Sequence, residues 1–208
     1  MGIALGFERL VIGLIGVWQQ MGGGLDPRLF FYLPFLSALP PLLLLGVAWQ
    51  RRRRDHGPRQ ALVSRAGLAS DLGWGALIGL ACVAVFVASL QTLKLLGVPG
   101  PDFTRLQPAH HLYFSTLGAL LPAVAEELYF RGFLAERFRD LRPALRMGLA
   151  SAAFALWHLQ TPSYLLHTFA IGLMLAWLVY RRGRLLPAVV AHALANVAAG
   201  LLIISDVI

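Results

Sequence analysis

Long apolar runs separated by short arginine-rich loops constrain this chain more than any other feature. Strong runs lie at about residues 29–49, 72–96, 110–136, 147–161, 164–180 and 185–204. A weaker one at 5–21 is interrupted by Glu8, Arg9, Gln19 and Gln20 and either spans or lies in the interface. A hydrocarbon core of ~30 Å takes about 20 apolar residues in a helix. The runs at 147–161 and 164–180 are short for that and are expected to tilt or to be shielded by neighbours. Hydrophobic residues make up 58% of the 208 and charged residues 13%, against about a quarter charged in a soluble domain. The expected fold is therefore all-α, a polytopic transmembrane helix bundle of about seven spans. Residues 1–109 would hold N-terminal helices and an arginine-rich loop, and residues 110–208 a helical core. Pro34, Pro40 and Pro41 predict kinks in the second run.

The charges sit in the loops. Net charge is +8, and Lys94 is the only lysine among 18 basic residues. Such a balance suits nucleic acid only when it paints a soluble surface, which this chain does not offer. Arg51, Arg52, Arg53, Arg54, Arg59 and Arg65 share one loop. Arg137, Arg139, Arg142 and Arg146 share another, and Arg181, Arg182 and Arg184 a third. The intervening loops hold only Arg28, only Arg105, and no arginine at 161–163. By the positive-inside rule the rich loops are cytoplasmic, which predicts a multi-pass cell-membrane protein with its N-terminus inside and its C-terminus outside. The first four of these arginines also suit anionic lipid. Cys82 stands alone in an apolar run and is read as packing. No small-residue cleavage site follows the first run, which is read as retained.

Against this background the polar residues inside the runs stand out. Glu126, Glu127 and Arg131 fall within six positions near the end of one run. Each charged side chain at the centre of a membrane helix costs about 2.5–3.5 kcal/mol on insertion scales, so three together call for a partner or a task. Phe154 and His158 are four apart on the next run, and His192 and Asn196 four apart on the last. Residues at i and i+4 share a helix face, so each pair can point into the bundle. At ~1.5 Å rise per residue, Glu126 lies ~15 Å, His158 ~16 Å, His192 ~10 Å and Asn196 ~16 Å from the arginine-rich ends of their helices. The four groups were found by residue type alone, and they share one layer. A carboxylate can take a proton from water while an imidazole orients or shares it. A second imidazole and an amide can donate to a developing oxyanion. Glu126, His158 and His192 equally match a catalytic zinc set with an open position, although no His-Glu-x-x-His run demands metal. No Gly-x-Ser-x-Gly nucleophile motif is present.

The ordered set Glu126-Glu127-x-x-x-Arg131, Phe154-x-x-x-His158 and His192-x-x-x-Asn196, on successive apolar helices, resembles the CAAX protease and bacteriocin-processing family, the Abi group of intramembrane proteases. The resemblance covers roughly residues 110–200. It implies an intramembrane endopeptidase in which Glu126 activates water with His158, His192 and Asn196 support the oxyanion, and Glu127 and Arg131 shape the site. Phe154, Trp157 and Phe130 are expected as pocket walls. The cofactor stays open between none and a single divalent metal such as zinc on Glu126, His158 and His192. The implied partners are the bilayer and a membrane-associated protein or peptide substrate. No nucleic acid is expected, and the sequence does not indicate an oligomeric state.

Blander roles are open for several of these residues. Glu127 and Arg131 can form an ion pair that only packs, and the other four polar residues can be hydrogen-bond glue between helices. The whole chain can be a non-proteolytic scaffold, immunity or partner-binding protein of the same fold. A transporter fits less well, since the polar groups occupy one layer and no inverted repeat is visible. His167 reads as packing or pore lining, and His110 and His111 as solvated at the outer end of their run. Pro122, four before Glu126, predicts a bend and a freed carbonyl near the site. A polar opening is expected from the cytoplasmic end toward Glu126.

Overall fold

The computed structural model describes residues 67–98, 116–158 and 165–204. The predicted runs at 5–21 and 29–49, the arginines from 51 to 65, Arg105, His110, His111 and the turn at 161–163 lie outside the described residues. Among those described, every regular element is a helix and there is no strand. Helix α1 is Leu68–Leu95. Helix α2, Leu117–Glu126, passes without a break into a π-helix, Glu127–Leu134, and a closing α-turn, Ala135–Arg137. Helices α3, Pro143–Trp157, α4, Leu165–Arg182, and α5, Leu186–Ile204, follow.

All five helices fall on predicted runs, with ends that differ by a few residues. Helix α3 starts at Pro143 and not near Met147. Apolarity rises only at Met147, but Pro143 occupies the first turn, where its fixed φ suits a helix start and its missing N–H costs nothing. By length and composition α1 is the one described helix able to cross a membrane, with Leu186–Leu202 a shorter apolar stretch. Seven spans are thus an expectation that the described helices meet only in part.

The packing of α1 is inverted relative to a soluble helix. Its buried residues are Asp71, Gly75, Gly79 and Cys82, spaced three and four apart on one face. Its outward side chains include Leu77 and Leu80, the latter 62% exposed. Lipid tails are as apolar as leucine, so helices in a bilayer gain little from burying leucine against each other and associate where small residues let backbones close in. A Cβ at Gly75 would lie 2.8 Å from Val190 Cβ and 2.9 Å from the Pro187 carbonyl oxygen. One at Gly79 would lie 3.0 Å from the carbonyl oxygen of Ala191. The seam therefore lets α1 touch the backbone of α5 directly before His192. Cys82 joins Leu175, Leu178, Ala188 and Ala191 in the core beneath it, the packing role its isolation suggested.

An ion-pair clamp closes one end of this seam. Asp71 is fully buried, and its carboxylate accepts from Arg182 Nη2 at 2.9 Å and Nε at 3.1 Å. Its second oxygen lies 3.0 Å from Arg184 Nη1. Arg182 also donates to Ser70 Oγ at 2.9 Å. The start of α1, the end of α4 and the start of α5 therefore lie together. Glu136, Arg146, Tyr180 and Gly183 line one cavity, which brings the end of the π-helix strand of α2 and the start of α3 to that same end. Arg146 of one predicted arginine-rich loop and Arg182 and Arg184 of another come to this end of the bundle, while the loop at 51–65 lies outside the described residues.

The seam makes a specific prediction. Gly75→Ala should lower the unfolding temperature in detergent, because overpacking costs about 1–3 kcal/mol. Gly73 has open space where its Cβ would be, so Gly73→Ala should be neutral or stabilising, Ala being the better helix former by about 1 kcal/mol. Equal behaviour of the two variants in a thermal melt would contradict the close α1–α5 approach.

Candidate active site

Glu126 is the last residue of the α-helical part of α2, and Glu127 the first of the π-helix. Short π segments within α-helices occur where a function holds the backbone out of its ordinary winding. Upstream, Pro122 lies inside α2 and has no N–H for the carbonyl four residues earlier. The two carboxylates flank the ring of His192. Its Nδ1 is 2.8 Å from Glu127 Oε1, and its Nε2 is 3.8 Å from Glu126 Oε2. The same Glu126 oxygen is 3.8 Å from His158 Nε2. Glu126, His158 and His192 therefore converge on one point, as their common depth predicted. Glu126 is 8% exposed, and its Oε2 is buried with no hydrogen-bond partner.

Both imidazoles are oriented from behind. His158 Nδ1 lies 2.9 Å from the Phe154 carbonyl oxygen, which can only accept, so that nitrogen carries the proton. His192 Nδ1 faces a carboxylate and is likewise the donor. In the neutral form each ring then presents the lone pair of Nε2 toward Glu126. His158 sits in the turn that ends α3, where Phe154 is four residues back, so the i, i+4 spacing seen in the sequence serves to tether the ring to its own helix.

Glu127 does more than pair with Arg131. Its Oε1 accepts from Arg131 Nη1 at 2.8 Å and from His192 Nδ1 at 2.8 Å. Arg131 is 1% exposed, and its Nη2 donates to the Gly172 carbonyl at 3.1 Å. A Cβ at Gly172 would lie 3.1 Å from Ser151 Cβ and 3.3 Å from Phe154 Cδ1, so glycine is what brings α4 close enough to α3 to offer that carbonyl. Phe154 is the plate against which the site is built. Its ring centroid is 4.2 Å from the Arg131 guanidinium carbon, 4.7 Å from His158 and 5.6 Å from His192. Phe130 meets it edge-on at 5.3 Å, and Trp157 lies 6.3 Å from Phe130. All three aromatics are buried. As placed, Phe154 touches the polar groups, while Phe130 and Trp157 form the packing behind it.

Asn196 stands slightly apart. Its Nδ2 donates to the Ala119 carbonyl at 3.2 Å, tying α5 to α2, and no described contact joins it to Glu126, His158 or His192. The amide nitrogen keeps a second N–H for another acceptor. His167 packs edge-on against Phe86 at 5.5 Å, as its isolation from the motifs suggested. The donor types of Glu126, His158 and His192 suit zinc. Among the described residues, however, no three His, Cys, Asp or Glu side chains are grouped closely enough to hold a metal ion. The described cavity at the arginine-rich end reaches Arg131 and not Glu126. This cavity does not bear on the opening expected toward Glu126. Asp71, Gly75, Gly79 and Gly172 escaped the sequence reading. The lone acid at the start of an apolar run and the Gly75-x-x-x-Gly79 spacing were the signals available.

Residues 108–198 match the family model described as type II CAAX prenyl endopeptidase Rce1-like. Over that segment the chain is similar to the CAAX protease family, the resemblance that its three motifs suggested. No curated protein and no solved structure matches the chain. The matched segment takes in all seven motif residues and leaves α1 outside.

The site separates stability from chemistry. Arg131→Ala would strand the fully buried Glu127 carboxylate, and breaking a buried pair costs about 3–5 kcal/mol. A large loss of thermal stability is expected. Glu126→Gln keeps the size of the side chain and breaks none of the hydrogen bonds above, so it should cost far less stability than Arg131→Ala. The reverse ranking in a thermal melt would overturn the assignment of the buried pair to Glu127 and Arg131.

Proposed function

We propose that the protein is an intramembrane endopeptidase that hydrolyses a peptide bond in a membrane-associated protein or peptide with a water activated by Glu126. The observation that carries this reading is the convergence of His158 Nε2 and His192 Nε2 on one unpartnered Glu126 oxygen, at 3.8 Å each. A water between these atoms can donate to the carboxylate while an Nε2 lone pair holds its other hydrogen. The water oxygen attacks the scissile carbonyl carbon, and its proton passes to Glu126. Two imidazole nitrogens lie near enough to receive that proton in turn. His192 protonated at Nε2 would carry N–H on both nitrogens, one held by Glu127 and one free for the oxyanion. The second N–H of Asn196 would complete the oxyanion support. Collapse of the tetrahedral intermediate breaks the C–N bond, and the stored proton goes to the leaving amine.

Glu127 and Arg131 act in this reading as positioning residues. The arginine-rich end is assigned to the cytoplasm by the positive-inside rule, with substrate cut nearer that face. The steps above use the side chains alone; Glu126, His158 and His192 are also the donor set for a single zinc, which would polarise the scissile carbonyl and acidify the water. A scaffold of the same fold would have no need for two imidazoles held with their Nε2 atoms toward one carboxylate.

The test is peptidomics of membranes carrying the native protein or Glu126→Gln, followed by cleavage assays on the fragments that differ. Glu126→Gln and His158→Ala should each lower turnover by at least ~10²-fold with the fold intact, the size of a general-base contribution. Dialysis against a chelator separates the two chemistries: a reaction of the side chains alone survives it, and one that needs zinc does not. Near-native turnover in either folded variant would sink the assignment. Asn196→Ala should lower kcat more than it raises KM, since a single oxyanion donor is worth about 2.7–4 kcal/mol in the transition state; an effect on KM alone would make it a substrate-positioning group.

A further inference from the structure

The cavity at the arginine-rich end is separate from the Glu126 site and has its own chemistry. It measures about 100 Å³ and lies between the end of the π-helix, the start of α3 and the end of α4. Arg131 forms part of its wall, and Arg146, Tyr180 and Glu136 line it with the small side chains of Ala135, Ala150 and Ala176. Arg131 is almost wholly buried, with Nη1 on Glu127 and Nη2 on Gly172. Its Nε is buried and has no hydrogen-bond partner. A buried guanidinium N–H left unmade is costly, and the cavity lined by this same residue is a place for a group that could accept from it. Arg146 is half-buried, and its guanidinium lies 5.9 Å from the Tyr180 ring centroid. Glu136 lies 3.6 Å from Arg139 Nη1, so its charge is engaged.

We propose that this cavity binds a phosphate oxyanion, held by Arg131 Nε and the Arg146 guanidinium, with a phospholipid headgroup as its source. Guanidinium groups match phosphate oxygens with paired N–H donors. The volume equals roughly three waters at about 30 Å³ each, so a phosphate fits and the rest of a headgroup stays outside. Tyr180 is exposed at the mouth, where a ring with a polar tip suits the bilayer interface. Arg137, Arg139, Arg142 and Arg181 are exposed at the same end and raise the local concentration of anions. Basic pockets between membrane helices bind anionic headgroups in this way. Bound phosphate would sit against the arginine whose other face fixes Glu127, and through it His192. Occupancy and the orientation of the candidate catalytic imidazole are then linked, although binding itself does not depend on the peptidase reading.

The test uses the full chain in nanodiscs of phosphatidylcholine alone or with phosphatidylglycerol, and native mass spectrometry to count retained lipid. The native protein and Arg142→Gln, which leaves the cavity lining intact, should retain phosphatidylglycerol. Arg146→Gln should weaken retention by roughly 10- to 100-fold, the worth of a hydrogen bond to a charged group. Ala135→Leu, which fills the cavity without changing charge, should do the same, and thermal melts confirm that each variant is folded. In a second arm, inorganic phosphate is added to the phosphatidylcholine discs and melting is followed. Stabilisation there that Arg146→Gln abolishes, with no site-dependent lipid, would keep the phosphate site and overturn the lipid as its source. Lipid retention unchanged in both cavity variants, together with no phosphate effect, would show a water-filled cavity only and overturn the proposal.

Discussion

One carboxylate oxygen organises the core. Glu127 Oε1 takes hydrogen bonds from Arg131 and from His192, both at 2.8 Å. In a dry interior each of these three groups would be expensive alone. Sharing the oxygen solves three problems together. The guanidinium gains a counter-charge, the carboxylate gains two donors, and the imidazole gains a fixed orientation. Arg131 then reaches Gly172 on α4, so the same small network ties α2, α4 and α5. Glu126, one residue earlier, is left outside it, and its Oε2 faces the two Nε2 atoms.

Around this network the helices are held by shape and not by leucine burial. The inward face of α1 is Asp71, Gly75, Gly79 and Cys82, and its leucines point outward. The aromatic cluster of Tyr129, Phe130, Phe154 and Trp157 fills the space between the π-helix and α3. It gives the polar groups a stiff apolar wall, with the Phe154 ring against a cation on one part and two imidazoles on others. Rigid aromatic packing behind hydrogen-bonded ligands is what keeps a few polar atoms at fixed positions in a bundle of otherwise featureless helices.

Much of this was legible in the residues. Glu126, His158 and His192 could be found because a membrane interior makes polar side chains conspicuous, and counting helical rise put them in one layer. The family match over 108–198 spans those same motifs. Other features were not readable for physical reasons. The π-winding from Glu127 to Leu134 is announced by no local residue pattern. Whether Asn196 faces Glu126 or Ala119 is a matter of rotamer and not of spacing. Gly172 reads as a neutral residue until α3 is placed beside it. Asp71 looks like a stray acid at a span boundary until Arg182 and Arg184 fold back to it, more than a hundred residues later in sequence. The start of α3 was missed because hydropathy weighs side chains, whereas Pro143 acts through the backbone.

The contact between α1 and α5 has a consequence for modularity. The segment that carries every motif residue ends its family match at 198 and begins it at 108, yet the flank of α5 beside His192 is completed by two glycines from outside it. A furrow shaped for a bare backbone is a poor fit for branched lipid tails or for an ordinary leucine-faced helix. The motif-bearing helices are thus not a self-sufficient cassette. Transplanting them to another membrane protein would require a first helix with an equally small-sided stripe, in the same register, to keep His192 where it is.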